Sequence, residues 1–319
     1  MICQKHLIVI CSLTIVSTLL CAYDNSKKKI PNNLRDELIS VSEKRVDQYK
    51  EIIKRINEHK TITQDVKDLL LEIADKYEKD LKKNKIEFET LKSKEIILEK
   101  LMRESVIANT FLSATYNSDW LRAKNFCPYG AAANFSFLYV LFRILDAINP
   151  ASILEMGMGQ TSLMTSQYVA YKNKDAHLII VEHDSGWISR LQSKVVIDKN
   201  IKILQMPLKE VTYNGYATKN YDNFFQQLHE FKFDFIVVDG GDTSERYSRT
   251  SVLDLIPNNL HQSFVIVFDD FSRPGEQDTV REVLNKLESA HIKYSTAIFQ
   301  GTKTQRIVCS EDLAYVKYL

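Results

Sequence analysis

Apolar and polar positions follow two different rhythms along this chain. From residue 34 to about 105, apolar residues recur at helical spacing in a Lys- and Glu-rich background: Ile52, Ile53 and Ile56, then Val66, Leu69, Leu70, Ile73 and Tyr77. That spacing predicts helices. Lys60-Thr61-Ile62-Thr63 interrupts the pattern, with Thr61 or Thr63 placed to start a second helix, and Asn84-Lys85 predicts a break before a third. Residues 131–148, with Phe135, Leu138, Leu141, Phe142 and Leu145, then read as a strongly apolar helix stopped by Asn149-Pro150. Beyond it short apolar runs at 152–156, 177–182, 201–205, 233–239 and 263–269 alternate with helix-length segments, the pattern of a doubly wound α/β sheet. Two final runs, 292–299 and 305–310, are separated only by Gln300-Gly301-Thr302-Lys303. Such a connection is too short for a parallel crossover, so a seven-stranded sheet ending in an antiparallel hairpin is expected.

An apolar run at 7–22 precedes all of this, with Lys5 before it and Lys27, Lys28 and Lys29 after it. It is short for a spanning helix, which takes about 20 residues. The rival reading is a secretory signal peptide, for which Leu20-Cys21-Ala22 is a poor cleavage site and Thr18-Leu19-Leu20-Cys21 a poor lipoprotein box. A membrane anchor with the following domain held on the cytoplasmic side by the lysines is the expectation. The chain thus divides into an apolar leader (1–25), a charged helical arm (26–112) and an α/β domain (113–319). The arm reads as a stalk, a helical hairpin or a seam between two copies in a homo-oligomer.

Net charge is only +1 over 319 residues, so composition gives no reason to expect nucleic acid as a partner. Three of the five cysteines fall in the leader, and Cys127 and Cys309 have neither disulfide nor zinc spacing. Tyr116, Asn117, Asp119, Trp120, Arg122, Phe126 and Tyr129 form an aromatic and polar stretch before the domain, either a packed connector or a lid. The sequon at Asn134-Phe135-Ser136 falls inside the expected helix and is read as accidental.

Chemistry concentrates at the ends of the strands. Glu155-Met156-Gly157-Met158-Gly159-Gln160-Thr161-Ser162 places two glycines after a strand and hydroxyl residues at the start of a helix. Glycine lets a ligand lie against backbone, and Thr161 or Ser162 can cap the helix so that its first N–H groups face polar ligand atoms. The next strand ends in Glu182, about 20 residues on, where an acid can hold a ribose diol. Two further strands end in Asp239 and in Asp269-Asp270.

This order resembles the class I S-adenosylmethionine-dependent methyltransferases over residues 130–319, with Thr161 where the third glycine of the loop usually stands. The resemblance implies a Rossmann-like domain in which Glu155, Gly157, Gly159, Thr161, Ser162, Glu182, His183 and Asp239 surround S-adenosylmethionine. Asp239-Gly240-Gly241-Asp242 and Asp269-Asp270-Phe271 look like the metal-binding acids of catechol-type and macrolide-sugar O-methyltransferases, which implies Mg²⁺ on Asp239, Asp269 and Asp270. Catechol-type enzymes carry a lysine three residues beyond the first metal acid, and Asp242 stands there instead. That departure moves the expected acceptor from a phenol towards the hydroxyl of a sugar, a glycan or another small molecule. Asp242 and His183 are then the candidate general bases. Arg246, Tyr247 and Arg249 either bind an acidic sugar or decorate a helix. Two rivals stay open: an NAD(P)-dependent oxidoreductase, and a membrane-anchored methyltransferase-like binding module without catalysis.

Overall fold

The computed structural model describes residues 64–318 apart from 129 and 131, together with 51 and 54. The apolar run at 7–22, the lysines at 27–29, the expected break at 60–63 and Tyr129 lie outside these residues. Among the described residues no helix is long and apolar enough to cross a membrane. The chain divides into two compact units, residues 1–94 and 95–319.

Helix α1 spans Gln64–Thr115 without interruption, so the break expected at Asn84-Lys85 does not occur. No Gly or Pro falls within its 52 residues, and Asn costs a helix only tenths of a kcal/mol, roughly, relative to Ala. In the first unit its exposed face carries i,i+4 ion pairs such as Asp75–Lys79 and Glu78–Lys82. The second unit begins at Glu95, earlier than the boundary expected at 113. Its stretch of α1 takes part in the domain core, with Phe111 buried against the rings of Phe126, Phe135 and Phe142. Leu98, Leu101, Met102 and Val106 of the same stretch are exposed.

Helix α2 (Phe135–Ile148) starts after Asn134, whose side chain accepts the Phe137 N–H at 3.2 Å. The sequon asparagine is therefore the buried N-cap of the helix and not a residue within it. Asn149 closes the helix in the left-handed region, and Pro150 prevents its continuation.

Strands β1 (Ser152–Met156), β2 (His177–Glu182) and β3 (Ile201–Gln205) are joined through α3 (Gln160–Gln167) and α4 (Ser185–Leu191). After β3 the chain makes a hairpin that the sequence reading missed, β4 (Leu208–Tyr213) with β5 (Tyr216–Tyr221), turning at Asn214-Gly215. Both turn residues have positive φ, as a tight hairpin turn requires. A short α5 (Phe224–Leu228) leads to β6 (Phe233–Val238), then β7 (Leu260–Phe268), α6 (Pro274–Ser289), β8 (Tyr294–Gln300) and β9 (Thr304–Ser310).

The main sheet has seven strands in the order β3-β2-β1-β6-β7-β9-β8. Strands β3, β2, β1, β6 and β7 pair in parallel, and β9 pairs antiparallel with both β7 and β8, as the short connection demanded. Alternate residues feed two buried layers: Ile153, Ile180, Val237 and Val267 pack on the side of α2, and Leu154, Val181, Val238 and Phe268 on the side of α6. Burial on both faces explains the unbroken apolar runs in the sequence. This is the Rossmann-like doubly wound architecture with a terminal antiparallel hairpin. The order reverses between β1 and β6, so the crevice beyond their carboxyl ends is where such sheets bind ligands.

Candidate active site

The floor of that crevice is made by two glycines in backbone contact. A Cβ on Gly157 would stand 2.5 Å from Gly240 Cα, and one on Gly240 only 2.1 Å from Gly157 Cα. Gly157 also has φ +95°, so both its conformation and its neighbour exclude any side chain. Gly159 differs: the nearest group to an added Cβ is Thr161 Oγ1 at 4.0 Å, which leaves its face of the loop open to a ligand.

The hydroxyl residues of the loop point inward. Glu155 is fully buried, and its carboxylate accepts hydrogen bonds from the Thr161, Ser162 (2.8 Å) and Thr165 (2.6 Å) hydroxyls. Burial raises the Glu155 pKa to about 7 against the opposing pull of these hydroxyls. The N-cap of α3 is Gly159, so the expectation that Thr161 or Ser162 caps it is corrected. Instead Ser162 Oγ accepts the Gly159 N–H at 3.0 Å while donating to Glu155. Glu155, Thr161 and Ser162 thus shape the loop from beneath.

Glu182 lies at the carboxyl end of β2, 5% exposed. Its Oε1 accepts the backbone N–H groups of His183 (2.7 Å) and Asp184 (2.9 Å) and lies 2.8 Å from His183 Nδ1. Its Oε2 accepts the Met158 N–H at 2.9 Å. The carboxylate therefore ties β2 to the glycine loop. Of its roughly four lone-pair directions, one on Oε2 is left for a ligand hydroxyl. Asp184 caps α4 by accepting from Gly186 and Trp187, and Trp187 Nε1 returns to Met158 O at 2.5 Å.

Tyr221, at the end of the unforeseen β5, supplies a second ligand-seeking atom. Its hydroxyl is buried with no hydrogen-bond partner, and a Cβ on Gly241 would stand 3.7 Å from it. Burial, then the charges of Glu182 and Asp239, push its pKa up, which places the hydroxyl in the field of both strand-end acids. A buried hydroxyl without a partner costs about 1–3 kcal/mol, a cost that a bound polar group removes. The open face of Gly159, the spare lone pair of Glu182 and the Tyr221 hydroxyl together fit a nucleoside with vicinal hydroxyls.

Across the switch point the acids are held by cations. The carboxylates of Asp239, Asp269 and Asp270 each place an oxygen within 4.8 Å of the others, and Asp242 does not join them. Arg249 Nη2 lies 3.0 Å from Asp270 Oδ2 and 3.7 Å from Asp239 Oδ1, and its Nη1 donates to the Val238 and Asp269 carbonyls at 3.2 Å. Lys303 Nζ lies 3.2 Å from Asp269 Oδ2 and 3.7 Å from Asp270 Oδ1. Gln305 donates to Asp269 Oδ1 at 2.7 Å, and Arg273 reaches Asp270 Oδ2 at 3.0 Å. Burial and the neighbouring Asp269 raise the Asp239 pKa well above the carboxylate range, opposed by Arg249 and Lys303. Burial lowers the lysine pKa, but Asp269, Asp270 and Asp239 outweigh it and keep Lys303 a cation.

Proximity alone suits a divalent ion on this triad. The ligand directions do not: both oxygens of Asp269 and both of Asp270 already face a cation or a donor.

The reading of Arg249 as acidic-sugar contact or surface decoration is corrected, since the side chain is 4% exposed among four acids. Arg246 forms a two-pronged pair with Asp278, at 2.5 and 3.2 Å, and lies over the rings of Tyr216 and Tyr247. His183 stands at the end of β2 with Glu182, its ring centroid 6.5 Å from that of Tyr221. In the stretch at 116–128 Trp120 and Leu121 are buried, with Trp120 stacked on Phe142, while Tyr116, Asn117, Asp119 and Arg122 are exposed; Gln167 and Gln160 accept the backbone N–H groups of Ala123 (2.6 Å) and Cys127 (2.9 Å).

No family model matches the chain, and no curated protein matches it. Solved structures of similar fold include an O-methyltransferase from Bacillus cereus in complex with SAH, at 13% identity, covering 64% of this chain and 91% of that one, with a TM-score of 0.38. Another is the O-methyltransferase TomG from Streptomyces achromogenes, involved in tomaymycin synthesis and solved with SAM, at 14% identity, 64% and 89% coverage and a TM-score of 0.39. A third is SAH-bound PaMTH1 from Podospora anserina, at 14% identity, 65% and 88% coverage and a TM-score of 0.39.

Proposed function

We propose that the chain is an S-adenosylmethionine-dependent O-methyltransferase acting on a hydroxyl of a sugar, a glycan or another small molecule. The observation that carries this reading is the antiparallel β7-β9-β8 edge of the sheet, whose terminal turn brings Lys303 to the acids at the ends of β6 and β7. A nicotinamide-dependent oxidoreductase would use the glycine loop and Glu182 but has no use for that edge.

Bound S-adenosylmethionine supplies the electrophilic methyl group. The chain's part is to bind and to orient. Gly159 and the loop above Glu155 would give it a backbone wall, Glu182 Oε2 would accept a ribose hydroxyl, and Tyr221 Oη would gain the partner it lacks. On the β6–β7 side the fixed charges meet the acceptor hydroxyl. Two groups are candidates for removing the hydroxyl proton: Asp242, on the loop after β6, and His183, whose Nδ1 faces Glu182 Oε1 and whose Nε2 is left to accept a proton. A second reading, favoured by the 4.8 Å spacing of the three carboxylates, places Mg²⁺ on Asp239, Asp269 and Asp270. The apolar run at 7–22 would bring this chemistry to a membrane surface, and with it a lipid-linked or surface-glycan acceptor.

The test is a methyl-transfer screen over nucleotide sugars, glycans and phenols, read by S-adenosylhomocysteine released. Turnover on a hydroxyl acceptor, strongly reduced in Asp242→Asn or in His183→Gln with cofactor affinity unchanged, is the expected result. Hydride transfer from NADH to any of these acceptors would overturn the reading.

A further inference from the structure

We propose that Lys303 occupies the cation position of the strand-end acids, so that this site carries its own fixed positive charge and needs no divalent ion. The proposal deepens the methyl-transfer reading and rests on it for its purpose, though not for its geometry. Asp269 and Asp270 share Lys303, at 3.2 and 3.7 Å, and Asp270 and Asp239 share Arg249, at 3.0 and 3.7 Å. Each acid of the triad is thus bridged to the next by a side-chain cation. With Glu276, four acids face Arg249, Arg273 and Lys303, so even with every carboxylate ionised only a single negative charge is left, and the raised pKa of Asp239 reduces it further. A divalent ion would turn that balance positive, and it could reach Asp269 only by displacing the ammonium from Oδ2 or the Gln305 amide from Oδ1.

The fold holds the lysine in place from outside. Lys303 rides on the β8–β9 turn, and Glu104 of α1 grips that turn. Its Oε2 accepts the Thr302 N–H (3.0 Å) and hydroxyl (3.3 Å), and the same carboxylate takes the Asn134 amide (2.8 Å) and the Ser136 N–H (3.0 Å). A Cβ at Gly301 would stand 2.1 Å from Glu104 Oε2 and 2.4 Å from Ser136 Oγ, so a side chain there would have to push this clamp aside. On the other side the Phe271 N–H donates to Thr304 O at 2.8 Å, joining the turn to the loop that bears Asp270. A turn clamped on both flanks delivers a side chain to a fixed point. At 19% exposure the lysine is still reachable from the crevice, so it can hold an acceptor oxygen as a metal would. The sequence lacks the lysine of catechol-type enzymes at Asp242, and the terminal hairpin brings one to the acids from another direction.

The experiment is a Mn²⁺ titration of the full chain without cofactor, followed by calorimetry and by the paramagnetic resonance signal of free Mn²⁺. The wild-type protein should show no one-to-one site, and Lys303→Met should gain one, seen as saturable one-to-one loss of the free Mn²⁺ signal. Lys303→Arg, which keeps the charge, should stay without it, and this covers a poorly folded methionine variant. A one-to-one Mn²⁺ site in the wild-type protein that Asp269→Asn abolishes would overturn the proposal. Because no methyl transfer is measured, failure here leaves the cofactor reading to its own test.

Discussion

On the β1–β2 side of the crevice Glu155 and Glu182 are satisfied mainly by uncharged donors, three hydroxyls for the one and three backbone N–H groups for the other. On the β6–β7 side Asp239, Asp269 and Asp270 are satisfied chiefly by Arg249, Lys303 and Arg273. Both sides begin as acids at the ends of parallel strands, so strand-end acidity alone does not define what a site does. Neutral donors leave a carboxylate whose role is to fix backbone and to accept one more hydrogen bond. Cations leave a charged lattice able to act on a developing oxyanion, at the cost of depending on every one of its members.

That dependence sets the largest expected effect. Arg249→Met leaves the buried Asp270 and Glu276 with only the partly exposed Arg273 between them and should cost about 3–5 kcal/mol of unfolding free energy, measured by urea denaturation. A loss under about 1 kcal/mol, the range of exposed pairs, would show that the lattice is solvated and that the contrast with the β1–β2 side is empty.

The neutral side should reveal itself through pH. Glu155 keeps its proton up to about 7 in the folded protein but releases it near 4.5 when unfolded. Between those values the folded state holds the extra proton, so stability falls as pH rises, by at most roughly 3 kcal/mol. Glu155→Gln, which cannot ionise, should lose this slope between pH 4.5 and 7. An unchanged slope in the variant would place the ionised carboxylate in the native state and make the two sides alike.

Much of the fold was legible because burial on both faces makes parallel strands into apolar runs, and because four residues cannot carry a parallel crossover. The β4–β5 hairpin escaped notice although Asn214-Gly215 is a strong turn signal: Lys209, Glu210, Lys219 and Asn220 give its strands too little apolar content to register as a pair. The acids of the site were found in sequence, but their partners were not. Arg249 and Lys303 look like surface charges until the sheet brings them to Asp270 and Asp269, 21 and 34 residues away, and local periodicity holds no record of that meeting. Thr161 and Ser162 illustrate the converse. Their residue type suits a helix cap, and only the buried Glu155 beneath them turns their hydroxyls inward.

The smallest expected effect tests the central claim most directly. The full chain is titrated by calorimetry with S-adenosylmethionine and, separately, with NADH, in the wild-type protein and in Glu182→Ala. The account predicts that S-adenosylmethionine binds one to one, that NADH does not, and that the variant loses about 1.5–3 kcal/mol of affinity, the range for hydrogen bonds to a charged group. Binding of NADH in place of S-adenosylmethionine, or equal S-adenosylmethionine affinity in the two proteins, would contradict it.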